Sequence, residues 1–204
     1  MMEKDFFTIL NERTSTRAYN PEKEISPGEL AELLEAAMQA PSAWNLQHWK
    51  FLVFHGDEAQ QKLLPIAYNQ QQIVDASAVI AVLGDLEAEK KVDSVFGPAV
   101  ASGYMAAEAK ERLAQNVASA YQNPQNARDA AMTNASLAAM QFILAAQAQG
   151  WNTCAIGGFN SQALMETFNV SSRYVPVMLI TIGEASLKGH PTSRLSIKEM
   201  VEWV

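Results

Sequence analysis

The sequence predicts an α/β or α+β sandwich in one piece, on three observations. Ala76 to Gly84 is a short, continuously apolar run bounded by polar residues, and Val175 to Gly183 is a second apolar run. Runs of that length suit strands buried on both faces. Between and before them stand two strong helix starts, Ser26-Pro27-Gly28-Glu29 and Asn123-Pro124. No linker, repeat or low-complexity stretch divides the 204 residues. Strands alternating with helices pack as layers around one core.

In chain order, residues 2–12 read as a helix with Phe6, Phe7, Ile9 and Leu10 on its apolar side. An extended segment follows, and Asn20-Pro21 breaks it. Ser26 at N-cap, Pro27 at N1 and Glu29 at N3 form a capping box. Behind it Leu30, Leu33, Leu34, Ala37 and Met38 keep a helical period, and Pro41 stops the helix. Trp49 to His55 predicts a strand and 57–66 a short helix. Residues 97–120 predict a weakly amphipathic helix with Gly97-Pro98 at its front. The helix from Asn123-Pro124 ends at Gly150, a C′ glycine. Between 135 and 146 it is apolar or small nearly all round, which predicts burial, with room for a second helix at a dimer core. Residues 161–168 predict one more short helix, and 189–204 a tail.

Composition narrows the function. A length of 204 residues suits one domain, and 49% apolar with 18% charged residues describes an ordinary globular chain with a large buried surface. The formal charge of −7 argues against nucleic acid, which attracts basic surfaces. Met1-Met2-Glu3-Lys4-Asp5 lacks the basic and apolar regions of a signal peptide, and the mostly apolar run 135–146 is too short to span a membrane. The single cysteine, Cys154, excludes an internal disulfide, so a cytoplasmic location is the default expectation. His48, His55 and His190 are scattered, with no metal-ligand spacing, and no phosphate loop or nucleophile elbow is present.

The richest stretch is Arg13-Thr14-Ser15-Thr16-Arg17-Ala18-Tyr19. In an extended chain alternate side chains share a face, so Arg13, Ser15 and Arg17 point one way and Thr14 and Thr16 the other. Two guanidiniums flanking a hydroxyl suit an anion such as phosphate. Alone, the pattern also describes two solvated arginines after a helix.

Arg-x-Ser-x-Arg-x-Tyr resembles the opening motif of the flavin-dependent nitroreductase family. Pro41-Ser42-Ala43-Trp44-Asn45-Leu46-Gln47-His48-Trp49 resembles its Pro-Ser-x-x-Asn-x-Gln-Pro-Trp segment. Asn69 with Ile73-Val74-Asp75-Ala76-Ser77, and Gly150 to Phe159, resemble two further segments in the family's order. The resemblance implies an α+β fold with a mostly antiparallel sheet, an intertwined homodimer, and a tightly bound flavin mononucleotide (FMN). It implies NAD(P)H as co-substrate and a ping-pong reduction of nitroaromatics, quinones or similar small-molecule acceptors. It places Arg13, Ser15 and Arg194 at the phosphate, Arg17 and Asn69 at the pyrimidine edge of the ring, and the Gly157-Gly158 backbone at N5. It extends the contacts to Thr14, Ala43 and Ile156, and has Pro41, Ser42 and Asn45 reach the flavin from the other subunit. Gln72 and Thr192 stand where many relatives carry lysine, which lowers the positive charge at the site. Residues 93–122 would form a lid, with Tyr104, Met105 and Tyr121 as wall residues.

Plainer readings stay open on the residues alone. Pro41-Ser42 also reads as a helix stop, Gly157-Gly158 as a turn, Cys154 as a small buried residue, and the lid aromatics as core. At the level of function, a flavin-binding storage or sensing protein, a dehalogenase-like relative and a helix-rich dimer without ligand remain the alternatives.

Overall fold

The computed structural model describes residues 5–204. Four strands, β1 (Trp49–His55), β2 (Ala78–Asp85), β3 (Asn152–Ile156) and β4 (Tyr174–Gly183), form a sheet of order β1-β2-β4-β3, antiparallel at every pairing. β2 lies inside the sheet and is buried at all eight positions. Its side chains alternate between two cores. Ala78, Ile80 and Val82 join Trp49, Ile180 and Ile182 on one face, while Val79, Ala81 and Leu83 join Phe54, Leu179 and Ile156 on the other.

The first face is covered by α2 (Pro27–Met38) and α7 (Pro124–Ala148), the second by α3 (Asp57–Leu63), α4 (Gln72–Asp75) and α8 (Ser161–Thr167). A bulge between Val82 and Leu83 leaves Val177 and Met178 both packed on the first core. That irregularity also accommodates Pro176, which cannot donate to the ladder.

The predicted caps form. Ser26 Oγ accepts from Glu29 N at 3.2 Å, and the Glu29 carboxylate accepts from Ser26 N at 2.9 Å. α7 starts at Pro124 and closes at Gly150, whose φ is 88°, with Trp151 N donating to Ala146 O and Gly150 N to Gln147 O. α7 comes so close to β2 that a Cβ on Gly84 would lie 2.9 Å from the Ala131 carbonyl carbon and oxygen.

Three expectations change. α1 (Phe6–Glu12) buries only Ile9, and the part of the predicted helix at 2–4 lies outside the described residues. α7 is buried on one side only, since Leu137 and Met140 remain 44% and 41% exposed. The single helix expected at 97–120 is two. α5 (Val92–Ala101) begins before Gly97-Pro98 and runs through it, then ends where Gly103 takes φ 74°. Tyr104 N donating to Ala99 O, and Gly103 N to Val100 O, close that end. α6 (Ala107–Tyr121) restarts the helix. Proline tolerates a helical φ and forfeits one hydrogen bond, whereas a left-handed glycine ends the helix outright. The tail carries one more turn, α9 (Ile197–Met200). Among the described residues, no helix is long and apolar enough to cross a membrane.

Candidate functional site

The Arg13–Tyr19 segment lies along the free edge of β3. Ser15 bridges Thr153, Thr16 N donates to Thr153 O at 3.0 Å, and Tyr19 bridges Ala185. Thr16 is buried and its neighbour Arg17 exposed, as alternation expects, but Arg13, Thr14 and Thr16 border one cleft together, so the segment is not cleanly two-faced. Burial pushes the Cys154 thiol up, and the Arg17 charge, a hydrogen bond with the Ser15 side chain and the Arg13 charge pull it only part of the way back. The thiol therefore stays protonated. A Cβ on Gly189 would come within 2.6 Å of the Thr14 hydroxyl.

The chain returns over this segment at 185–194 and encloses a cleft of about 1040 Å³. Arg13 and Thr14 line it together with Lys188, His190, Thr192 and Arg194. Arg13 and Arg194, far apart in the sequence, thus share one basic wall. Arg194 is folded back: its Nη1 donates to Thr192 Oγ1 at 2.6 Å and to the Thr192 and Ser193 carbonyls. The threonine at the position of the family's frequent lysine holds the arginine instead of adding a charge.

The cleft reaches Asn152 at the start of β3; beyond the other end of that strand, past Ile156, amides gather. Tyr68 and Asn69 take φ of 55° and 57°, and Asn69 N donates to Leu64 O. Gln70 Nε2 donates to Ala67 O and to Gly158 O, both at 2.9 Å. Gln72 Nε2 donates to Gln70 Oε1 at 3.2 Å, and Asn160 N to Ile66 O at 2.9 Å. Asn69, Gln72, Gly157 and Gly158 are thereby joined, with Ile156 buried beneath them in the second core. Gln72 is itself buried, and its Oε1 has no partner.

Two consecutive glycines can serve a close backbone approach or a positive φ, and the structure leaves the first. Neither Gly157 nor Gly158 has a positive φ, and a Cβ on either would meet nothing within 4 Å. The fold of this chain does not demand glycine there. An open, side-chain-free strip of backbone suits the close approach of something outside the chain.

Pro41, Ser42, Ala43 and Asn45 sit elsewhere, at the start of β1. Ser42 Oγ accepts from Gln47 N at 2.9 Å, Ala43 N donates to Asn134 Oδ1 at 2.8 Å, and Lys91 Nζ donates to Gln47 O at 2.6 Å. These contacts hold a loop in which Trp44, Asn45 and Gln47 all have positive φ. β1 and β3 are the two ends of the β1-β2-β4-β3 order, and three strand spacings amount to about 14 Å. Within one protomer the structure does not bring this loop to Arg13, Gln72 or Gly157.

Tyr121 is also corrected. Its ring stacks on His48 (centroids 6.4 Å apart) in a small core with Leu46 and Val117, so it is no wall residue. Burial and the Lys91 charge hold the His48 imidazole down to about 4 despite Asp85, so it is neutral. Tyr104, in contrast, is 90% exposed between α5 and α6. Gln70, Asn134 and Lys91 were missed from the sequence; the run Gln70-Gln71-Gln72 beside Asn69 was the only local signal for the first. Among the described residues no group of three or more His, Cys, Asp or Glu could hold a metal.

Comparison with known proteins agrees with this geometry. A family model described as Nitroreductase family matches residues 10–184. Several relatives carry the name putative nitroreductase, one from Bacillus subtilis and one from Exiguobacterium sibiricum among them. YodC of Bacillus subtilis (strain 168), named as the NAD(P)H type, is 50% identical over 96% of this chain and 97% of its own. The crystal structure from Exiguobacterium sibiricum 255-15, in complex with FMN, matches with a TM-score of 0.93 and 36% identity over 100% and 99% of the two chains. The CLA biosynthesis enone reductase of Lactiplantibacillus plantarum is 28% identical over 100% of this chain and 96% of that protein. Matched along most of its length by the family model and by a half-identical relative, the chain belongs to the nitroreductase family.

Proposed function

We propose that the chain is a homodimeric FMN oxidoreductase that uses NAD(P)H to reduce nitroaromatics, quinones or related acceptors. The observation that carries this reading is that edge strand β3 has a basic cleft, with Arg13 and Arg194, at its Asn152 end and an amide-lined turn with two unobstructed glycines beyond its Ile156 end. These groups suit the cofactor chemically. Guanidiniums match a phosphate, amides match the donors and acceptors of a pyrimidine edge, and bare backbone admits a flat ring. Bound there, FMN would supply hydride-transfer chemistry between NAD(P)H and the acceptor, in a ping-pong cycle.

Each residue then has a task. Arg13, Ser15 and Arg194 hold the phosphate, with Thr14 beside Arg13 on the same cleft. Arg17 and Asn69 face the pyrimidine edge, where Arg17 supplies positive charge for the anion that reduction develops. Gln72, uncharged, gives that edge less stabilisation than a lysine would. Ile156, Gly157 and Gly158 present backbone to the ring. Pro41, Ser42, Ala43 and Asn45 of a second copy complete the site, which the width of the sheet denies them within their own chain. Residues 93–122 form the lid of a single domain, with Tyr104 and Met105 toward the acceptor.

The second copy also answers a burial problem. Leu137 and Met140 on α7, and Leu195, Ile197, Met200 and Trp203 in the tail, are 41–88% exposed. Apolar surface of that extent needs a partner. Deleting residues 195–204 is expected to shift the protein toward monomer on a sizing column and to lower its flavin content. A full-length chain that holds flavin equally well as a stable monomer would refute the shared site.

The activity is tested by anaerobic mixing of the FMN-loaded protein with NADH or NADPH. Rapid bleaching of the flavin band is the expected result. A bound flavin that neither nucleotide bleaches would make the protein a storage or sensing flavoprotein.

A further inference from the structure

We propose that Gln70 is a positioning residue which clasps the Gly157-Gly158 turn into the shape the flavin meets. The inference rests on the flavin reading above, but its geometry is independent of it.

Gln70 spends its whole amide on this task. Its two N–H bonds go to Ala67 O and Gly158 O, both at 2.9 Å, and its carbonyl accepts from Gln72 Nε2 at 3.2 Å. That pattern fixes the amide's orientation, because a flipped Gln70 would set oxygen against two carbonyls and N–H against N–H. The bond to Gly158 spans 88 positions of sequence. It ties a helix-end turn, held by Asn69 N to Leu64 O, to the strip following β3.

That strip has little else to hold it. Gly157 and Gly158 carry no side chains, and a Cβ on either would touch nothing. The next anchors along the chain are the Phe159 side chain, packed against the second core, and the bond from Asn160 N to Ile66 O. Glycine loses more conformational freedom on ordering than any other residue, so an unpinned pair would sample many backbone shapes. Pinning the Gly158 carbonyl orients the peptide planes on either side of it, and with them the N–H groups available to a ring nitrogen. N5 of oxidised flavin is an acceptor, whereas N5 of reduced flavin carries a proton and no longer accepts. A well-aimed backbone N–H therefore stabilises the oxidised form selectively, and loosening it affects the two forms unequally.

The test uses Gln70→Met, neutral and of similar length, which removes both donors without adding a charge beside the anion that reduction develops. Gln70→Leu stands in if that variant does not fold. The dissociation constant for oxidised FMN is read by titration and the midpoint potential by dye equilibration. Hydrogen exchange across residues 157–160 is measured in the flavin-free protein. We expect about tenfold weaker hold on oxidised FMN, roughly one well-placed hydrogen bond. With the reduced form unaffected, that tenfold equals a potential about 30 mV higher. Exchange at 157–160 should be faster, with the rest of the map unchanged. Equal losses for both redox forms, leaving the potential where it was, would make Gln70 merely structural and overturn the proposal. So would wild-type exchange in both variants. A wild-type protein that binds no FMN would refute the flavin reading instead, and exchange across the turn would still decide the clasp.

Discussion

Asp85→Ala is expected to cost about 3 kcal/mol of folding stability, the lower end of the range for breaking a buried ion pair. Asp85 ends β2 with no exposure at all, and three cationic contacts converge on it. Arg173 Nε donates to Oδ1 at 2.7 Å and Nη2 to Oδ2 at 2.8 Å, while Lys91 Nζ lies 2.9 Å from Oδ2. Its removal leaves two cations without their counter-charge. Both are about a quarter exposed, with side-chain values of 26% and 28%, so water recovers part of the loss. Because Lys91 also holds the Gln47 carbonyl, the loop carrying Ser42 and Asn45 should loosen with it.

The same group sets an acid limit. Burial pushes the Asp85 carboxyl up, but hydrogen bonds from Arg173 and Lys91, the Lys91 charge and the Glu87 N–H together bring it below the ordinary carboxylate value. A folded value below the unfolded one means that the contribution is complete above about pH 4, the unfolded carboxylate value, and fades as pH falls through the folded value. Urea denaturation at pH 7 and near pH 3 checks this. The wild type should lose stability across that interval, and the alanine variant should lose less of it. Equal acid sensitivity in both would remove Asp85 from the account.

Arg13→Ala is expected to weaken FMN binding by about 1.5–3 kcal/mol, the range for a charge-assisted hydrogen bond, or about 10- to 150-fold. Arg13 sits on the wall of the cleft, two residues before the Ser15 bridge to β3. Arg194→Ala should cost less. One nitrogen of Arg194 is committed to Thr192 and Ser193, and the side chain is exposed, where charge contacts are weakened by water. Titration of flavin-free protein with FMN at fixed ionic strength measures both. An unchanged constant for Arg13→Ala would take it out of the site.

How far the sequence foretells this molecule depends on how local each cause is. The Ser26/Glu29 capping box, the Asn123-Pro124 start and the Gly150 stop rest on contacts within a few residues, and all form as read. The alternation expected over Arg13–Arg17 was legible only in part: Thr16 is buried and Arg17 exposed, yet Arg13 borders the same cleft as Thr14 and Thr16. β3 was not. Asn152–Ile156 is five residues with two polar ones at its start and only three apolar ones after them, and pairing with β4 makes it a strand. The break at 102–106 hid behind Pro98, which looked like the stronger punctuation.

In the site, motif order pointed to Asn69, Gln72 and Gly157-Gly158, and the fold joins them. It could not show Gln70 or Asn134, since the partner of an amide is decided by tertiary placement. Nor could linear order show that Ser42 and Gly157 occupy opposite ends of a four-stranded sheet. That separation is what turns a dimer from a family habit into a geometric requirement of the reading.

The central claim is that Arg13, Asn69, Gln72, Gly157 and Gly158 grip one FMN at this sheet edge. The visible spectrum of the purified protein, before and after addition of FMN and removal of the excess, tests it most directly. The account predicts a yellow protein whose flavin stays with it in about one copy per chain. A colourless protein that lets all added FMN pass through the desalting column would contradict it.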